Sequence, residues 1–444
     1  TMHKQYYSLL CNKIQFKHLA IYFSVFLSLS SCFLWGGADT FVSQVYIDIL
    51  ATISTALLVV LMFYYYINRV RYLSLTLLFA FVFSLIIGLP SIYLYYFKNA
   101  NHGFEIICIW GMLINSILYL QTTETVIKEE KRYLTSLFYI LFSIVALCQL
   151  YKILIYLMFI LNSGEGHLAI YTESEELLSQ VPFFIRAISG FAVVMSLSTF
   201  YFKTPTYIKV IAFVLLASDL AIGIRNKFFF SVICIFILYM YSNEYRVRNL
   251  FKQLSKPIFL IAGFLCFSMV SYFREGYQID FMIYIGIVLD SLSSTLGGMQ
   301  NLFDMQSSGW DQLHPAVVFT QVLPLSGLGF LDDQQIAKDF SIIVLGDVSS
   351  GIALSSSGLL ESSLLSLNLG VIIYLLYLSG VMLFIKWGLN NQRIIINFVA
   401  ISMISGFFYA VRGELILPLA FLLKSLPIVL ISPLLVKNKI YHGQ

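Results

Sequence analysis

The chain has 444 residues, of which 59% are hydrophobic and only 11% charged, with a net charge of +4 and a mean hydropathy of +0.85. A soluble domain carries about 25% charged residues, so this composition cannot coat a water-facing surface and excludes a soluble globular enzyme. The small positive charge reports membrane topology rather than nucleic-acid binding.

Runs of roughly 20 apolar residues recur from end to end, which is the signal of membrane-crossing helices. A transmembrane barrel would show alternating segments of about ten residues instead. The expected fold is all-α, a polytopic integral membrane protein. Spans fall at about 19–38, 45–67, 72–97, 104–120, 133–161, 181–202, 207–223, 228–242, 257–273, 359–385, 394–411 and 414–435. That makes about twelve transmembrane helices in a single polytopic domain, 1–444. The first apolar run lacks a small-residue cleavage site after it and is expected to stay as a helix. The seventh and eighth spans are short and would also fit a half-length hairpin. Two linkers are long: "NSGEGHLAIYTESEELLSQ" before the sixth span, and 274–358 before the tenth.

Basic residues place the sides. The segments "KQYYSLLCNKIQFK", "NRVR", "IKEEKR", "KTPTYIK", "NEYRVRNLFKQLSK", "KWGLNNQR" and "VKNK" fall on alternate linkers and termini, and hold roughly two-thirds of all Lys and Arg. The positive-inside rule makes them cytoplasmic, so both termini are expected inside and both long loops outside. The outer loops are acidic, with Glu165, Glu173, Glu175 and Glu176 in the first, and Asp280, Asp290, Asp304 and Asp311 among the second.

Four arginines break this bias. Arg225 in "GIRNK", Arg274 in "SYFREGY" and Arg412 in "VRGEL" lie at the outer face, and Arg186 sits just inside the outer end of the sixth span. Asp48, Glu105, Lys152 and Asp219 fall in the outer half of their spans, and Lys424 lies deeper. Charges at membrane depth are costly and face cavities or partners. A guanidinium holds phosphate oxygens bidentately and stays charged, so such a cluster suits a lipid carrying phosphate or pyrophosphate. The structural alternative pairs each arginine with a neighbouring carboxylate: Arg274 with Glu275, Arg412 with Glu414, Arg225 with Asp219.

A linker as long as 274–358 is usually functional. It reads as a folded cap over a cavity, with "QIDFMIYIGIVLDSLSSTLGGM" as an interfacial or re-entrant helix. His314 in this loop is a candidate general base, or a structural hydrogen-bonding group. Glu361 enters the tenth span from outside; it is a candidate base, or it favours a helix N-terminus through the dipole. No GxxxxGK[ST], GxSxG or HExxH motif is present, so neither ATP, a serine hydrolase nor a zinc peptidase is indicated. The 6 Cys lack CxxC or CxxH spacing, and no metal or other cofactor is expected.

The back half, from about Ile222 to Glu414, resembles the O-antigen polymerases of Wzy type, the oligosaccharide repeat-unit polymerase family. The resemblance rests on "AIGIRNKFFF", "SYFREG", "FTQVLP", "SSSGLLESSLLSLNLG" and "VRGEL". The spacing from Glu361 to Asn368 is wider than the family's glutamate-to-"NxG" spacing. The resemblance implies a glycosyltransferase of the bacterial inner membrane, working at the periplasmic face in lipopolysaccharide biosynthesis. It would transfer a growing glycan from undecaprenyl pyrophosphate to a new lipid-linked repeat unit. Arg225, Arg274 and Arg412, with Arg186, would bind the pyrophosphate, and His314 or Glu361 would activate the acceptor hydroxyl. Partners would be the lipid-linked glycans, membrane lipid and a chain-length regulator. The rival readings are an O-antigen ligase, using lipid A core as acceptor, and a lipid-linked oligosaccharide flippase.

Overall fold

The computed structural model describes residues 132–163, 174–222, 225–242, 315–319, 358–365, 370–411 and 413–437, together with Leu75, Leu78, Phe79, Val82 and Ile342. The chain divides into two compact units. One comprises Thr1–Thr125, Ile285–Gln312 and Leu359–Ser379; the other comprises Val126–Tyr284, Leu313–Gly358 and Gly380–Gln444. In the first unit Leu75, Leu78, Phe79 and Val82 are helical and buried at i, i+3, i+4 and i+7, the spacing of one helix face. The expected spans at 19–38, 45–67, 104–120 and 257–273 lie outside the described residues, as does most of 72–97.

The second unit is built of helices. In chain order the described elements of the whole chain from residue 132 run β1 (Tyr133–Leu134), α1 (Ser136–Ser163), α2 (Ser174–Gln180), α3 (Phe183–Ser189), α4 (Ala192–Tyr201) and α5 (Thr206–Ala217). A 3-10 turn, Ser218–Ile222, leads toward α6 (Arg225–Ser242), and a second, Pro315–Phe319, follows His314. Then come α7 (Gly358–Leu365), α8 (Gly370–Leu389), α9 (Ile394–Tyr409), α10 (Leu417–Lys424), α11 (Leu426–Leu435) and β2 (Val436–Lys437).

The surface identifies the solvent of α1. Its exposed residues include Leu137, Ile140, Ile144, Leu147, Leu154, Met158 and Leu161, spaced three and four apart along one side. Leu147 is 68% and Leu161 73% exposed, an apolar stripe that water would not tolerate and hydrocarbon would. The opposite side buries Phe138, Phe142, Val145, Gln149 and Ile153. Ser136–Asn162 and Phe183–Tyr201 are long and apolar enough to cross a membrane, and Leu417–Leu435 would be a third as one bent span.

Helix α4 is central. It is buried from Ala192 to Phe200 and packs against α1, α5, α6 and α9. Its hydroxyls are absorbed locally: Ser198 Oγ donates to Val194 O at 2.7 Å, and Thr199 Oγ1 to Ser196 O at 2.7 Å. Between α9 and α10 the backbones nearly touch at Gly406, where an added Cβ would lie 2.6 Å from Leu417 O. Only glycine permits that approach.

One end of this unit gathers four of the basic segments. Tyr133 pairs antiparallel with Lys437 and Leu134 with Val436, while Tyr133 also bridges to Lys203. Lys203 N donates to Arg132 O at 3.0 Å. The Arg132 guanidinium donates to Asn397 Oδ1 at 2.7 Å and to Gln392 O. Asn397 Nδ2 in turn donates to Gly388 O at 2.7 Å and Asn391 O at 2.9 Å. The linkers from "IKEEKR", "KTPTYIK", "KWGLNNQR" and "VKNK" therefore share one end, as alternation along the chain requires.

One boundary differs from the sequence reading. The expected span 414–435 breaks at Ser425, where α10 and α11 meet at a 58° bend. Pro427 stands at the start of α11, and its missing N–H and fixed φ favour a new helix start over a continued one. Within the expected span 359–385 the described residues are helical, in α7 up to Leu365 and in α8 from Gly370. The eighth span falls on an 18-residue helix, Arg225–Ser242.

Candidate functional site

A polar seam crosses the otherwise apolar α1. Gln149, Lys152 and Tyr156 stand at i, i+3 and i+7, so the helix period puts them along one side. The 3-10 turn and α3 both pack on α1, which brings three further charged residues to this seam. Asp219 is the second residue of the 3-10 turn and is buried. Lys227 is the third residue of α6, which also packs on that turn. Arg186 lies in α3.

At the seam's centre Lys227 Nζ lies 2.7 Å from Asp219 Oδ2. Gln149 Nε2 donates to Asp219 Oδ1 at 3.1 Å. A carboxylate only accepts, so the amide nitrogen must face Asp219, and Gln149 Oε1 is left without a partner although it is buried. Lys152 lies within electrostatic reach of both Asp219 and Lys227, with its ammonium 6.0 Å from the Tyr156 ring centroid. Farther along, the Arg186 charge acts on the Tyr156 phenol. The Arg186 guanidinium is 6.0 Å from the Phe183 ring, and its buried Nε has no hydrogen-bond partner.

The charge count is uneven. Among the described residues, three cations, Lys152, Lys227 and Arg186, lie along this seam with one carboxylate, Asp219. Lys227 takes that carboxylate, leaving Lys152 and Arg186 with no ion pair among the described residues. The Lys227 side chain is 32% exposed against 4% for Asp219, so the seam is open at Lys227 and closed beneath it. Gln149 and Asp219 each lie fourteen residues from the basic linker end, at Thr135 and Pro205. At 1.5 Å per helical residue that is about 20 Å, or about two-thirds of the way across a 30 Å hydrocarbon core. Unmatched cations at such depth are unfavourable unless something anionic meets them.

The expected site residues distribute as follows. Arg186 belongs to the seam. Arg225 opens α6, two residues ahead of Lys227. The sequence offered Asp219 as the structural partner of Arg225; in the structure Asp219 forms an ion pair with Lys227. Glu361 is in the first turn of α7 and is wholly buried; from Leu359 onward that helix belongs to the other unit. Arg274, His314 and Arg412 lie outside the described residues. Gln149 escaped the sequence reading because it carries no charge. Its one signal is the spacing with Lys152 and Tyr156 inside an apolar run.

Among the described residues, no group of His, Cys, Asp or Glu gathers that would hold a metal ion. The described cysteines, Cys148 and Cys234, are free thiols. The seam can donate hydrogen bonds to an anion from two unpaired cations and accept one through Gln149. No family model, curated protein or solved structure matches the chain.

Proposed function

We propose that this chain is an O-antigen polymerase of Wzy type. In this reading it is a multi-pass protein of the bacterial inner membrane whose site faces the periplasm. It extends glycans carried on undecaprenyl pyrophosphate. The bond between the donor glycan's anomeric carbon and the pyrophosphate oxygen breaks, and a glycosidic bond forms to a hydroxyl of the incoming lipid-linked repeat unit. His314 or Glu361 takes the hydroxyl proton. Undecaprenyl pyrophosphate leaves with both electrons of the broken bond.

The negative charge that builds on the departing pyrophosphate needs fixed cations. Arg225, Arg274 and Arg412 supply them in this reading, joined by Arg186. One observation carries the proposal: the surplus of cations over carboxylates at the Lys152–Asp219–Lys227–Arg186 seam, remote from the basic linker end. The positive-inside rule puts that linker end in the cytoplasm and hence the seam toward the periplasm. Because the energy comes from the pyrophosphate bond, no nucleotide is required, consistent with the missing nucleotide motif.

Deleting the gene in its native host and resolving the lipopolysaccharide on a gel tests the activity. The expected result is a ladder collapsed to lipid A core plus one repeat unit. Loss of every O-antigen band with lipid-linked chains accumulating outside would instead mean a ligase. Single units accumulating inside would mean a flippase.

A further inference from the structure

The seam's unmet hydrogen-bonding groups differ in kind, and the difference specifies a ligand. Lys152 and Arg186 are donors without ion-pair acceptors among the described residues. Gln149 Oε1 is an acceptor without a donor, on a side chain that is only 1% exposed. A bare phosphate would satisfy the donors and leave Gln149 unmet. A neutral sugar would satisfy Gln149 and leave the cations unmet.

We infer that the seam is a sugar-phosphate subsite, in which Lys152 and Arg186 donate to phosphoryl oxygens and Gln149 Oε1 accepts from a sugar hydroxyl. Asp219 does not touch the ligand. It orients Gln149 by accepting from Nε2 at 3.1 Å and holds Lys227 at 2.7 Å, which makes it a positioning residue. Tyr156 lines the stretch between Lys152 and Arg186, where its ring can lie beside the sugar. The inference rests on the polymerase reading for its biological substrate and adds lysine and glutamine groups to the arginines already assigned.

Lys152 supplies the discriminating variant. Lys152 is half-buried beside the like charge of Lys227, so Lys152→Gln is expected to raise the thermal midpoint while weakening ligand binding. A purely structural lysine would show the reverse stability effect. Binding is measured on the full chain in nanodiscs with three probes: undecaprenyl pyrophosphate, the same lipid bearing one N-acetylhexosamine, and free N-acetylglucosamine 1-phosphate. Lys152→Gln is expected to weaken binding of the phosphate probes by about tenfold, the size of one charge-assisted hydrogen bond, and Lys152→Arg to restore most of it. Gln149→Leu is expected to weaken only the sugar-bearing probes.

A preference for the lipid-borne over the free sugar phosphate, or the reverse, identifies the source of the ligand, and either supports the subsite. Wild-type affinity in both Lys152→Gln and Gln149→Leu would overturn it. Intact polymerisation with those affinities unchanged rejects the subsite alone. Lys152-dependent binding without polymerisation rejects the polymerase reading alone.

Discussion

The two ends of the helical unit treat their cations in opposite ways. At the linker end Arg132 spends its guanidinium on Asn397 and Gln392, and Lys203 lies 5.1 Å from the Tyr133 ring. Strand pairing between 133–134 and 436–437 closes the chain over them. At the seam Lys152 and Arg186 lie 6.0 Å from the Tyr156 and Phe183 rings but have no ion pair among the described residues, and the acceptor of Gln149 is unmet. Both sets of charges obey the same electrostatics. Charges that hold a fold together are satisfied by the fold, and half-buried charges left without a counter-ion are available to a ligand.

Breaking the linker end should have the larger effect on stability. Asn397 is fully buried and joins Arg132 to the carbonyls of Gly388 and Asn391. Asn397→Leu strands all three groups and is expected to cost about 3 kcal/mol at roughly 1 per unsatisfied group, the low end because two of the three contacts are only part-buried, read as a lower midpoint in denaturant titration of the detergent-solubilised chain. Asp219→Asn should cost less. Removing one partner of a buried pair costs about 3–5 kcal/mol, but Lys227 is a third exposed and can reach solvent, so about 2 kcal/mol is expected.

Arg132→Lys sharpens the contrast further. It keeps the charge and loses the planar fork that reaches Asn397 and Gln392 together, for about 1–2 kcal/mol. Activity of the folded fraction should stay at the wild-type level, whereas Arg186→Ala should lower activity with little change in stability. The smallest effect belongs to Lys203→Ala. Its contact with Tyr133 is exposed, and the loss is expected to stay within about 0.5–1 kcal/mol by the same titration.

Much of this architecture was legible in the sequence. The spans at 133–161, 181–202, 207–223 and 394–411 became α1, the α3–α4 pair, α5 with its 3-10 turn, and α9, because uninterrupted apolar runs leave the backbone no alternative to helix in lipid. The alternation of basic segments also correctly joined the linkers at Arg132, Lys203, Gln392 and Lys437. Hydropathy averages through local geometry, so it missed the bend at Ser425. Pro427 carried its signal. The site was legible as a concentration of charge at one depth, with Arg186, Lys152 and Asp219 all marked. The Asp219–Lys227 pair was not, since it depends on how the 3-10 turn packs against α6. Gln149 was silent for want of charge.

The most direct measurement is reconstitution. The purified full chain is placed in vesicles with undecaprenyl-pyrophosphate-linked repeat units as the sole glycan source, and the lipid-linked products are resolved by length. The account predicts a ladder of longer glycans with one undecaprenyl pyrophosphate released for each bond formed, and its loss in Arg186→Ala vesicles. Single repeat units that persist unchanged with folded wild-type protein would contradict it.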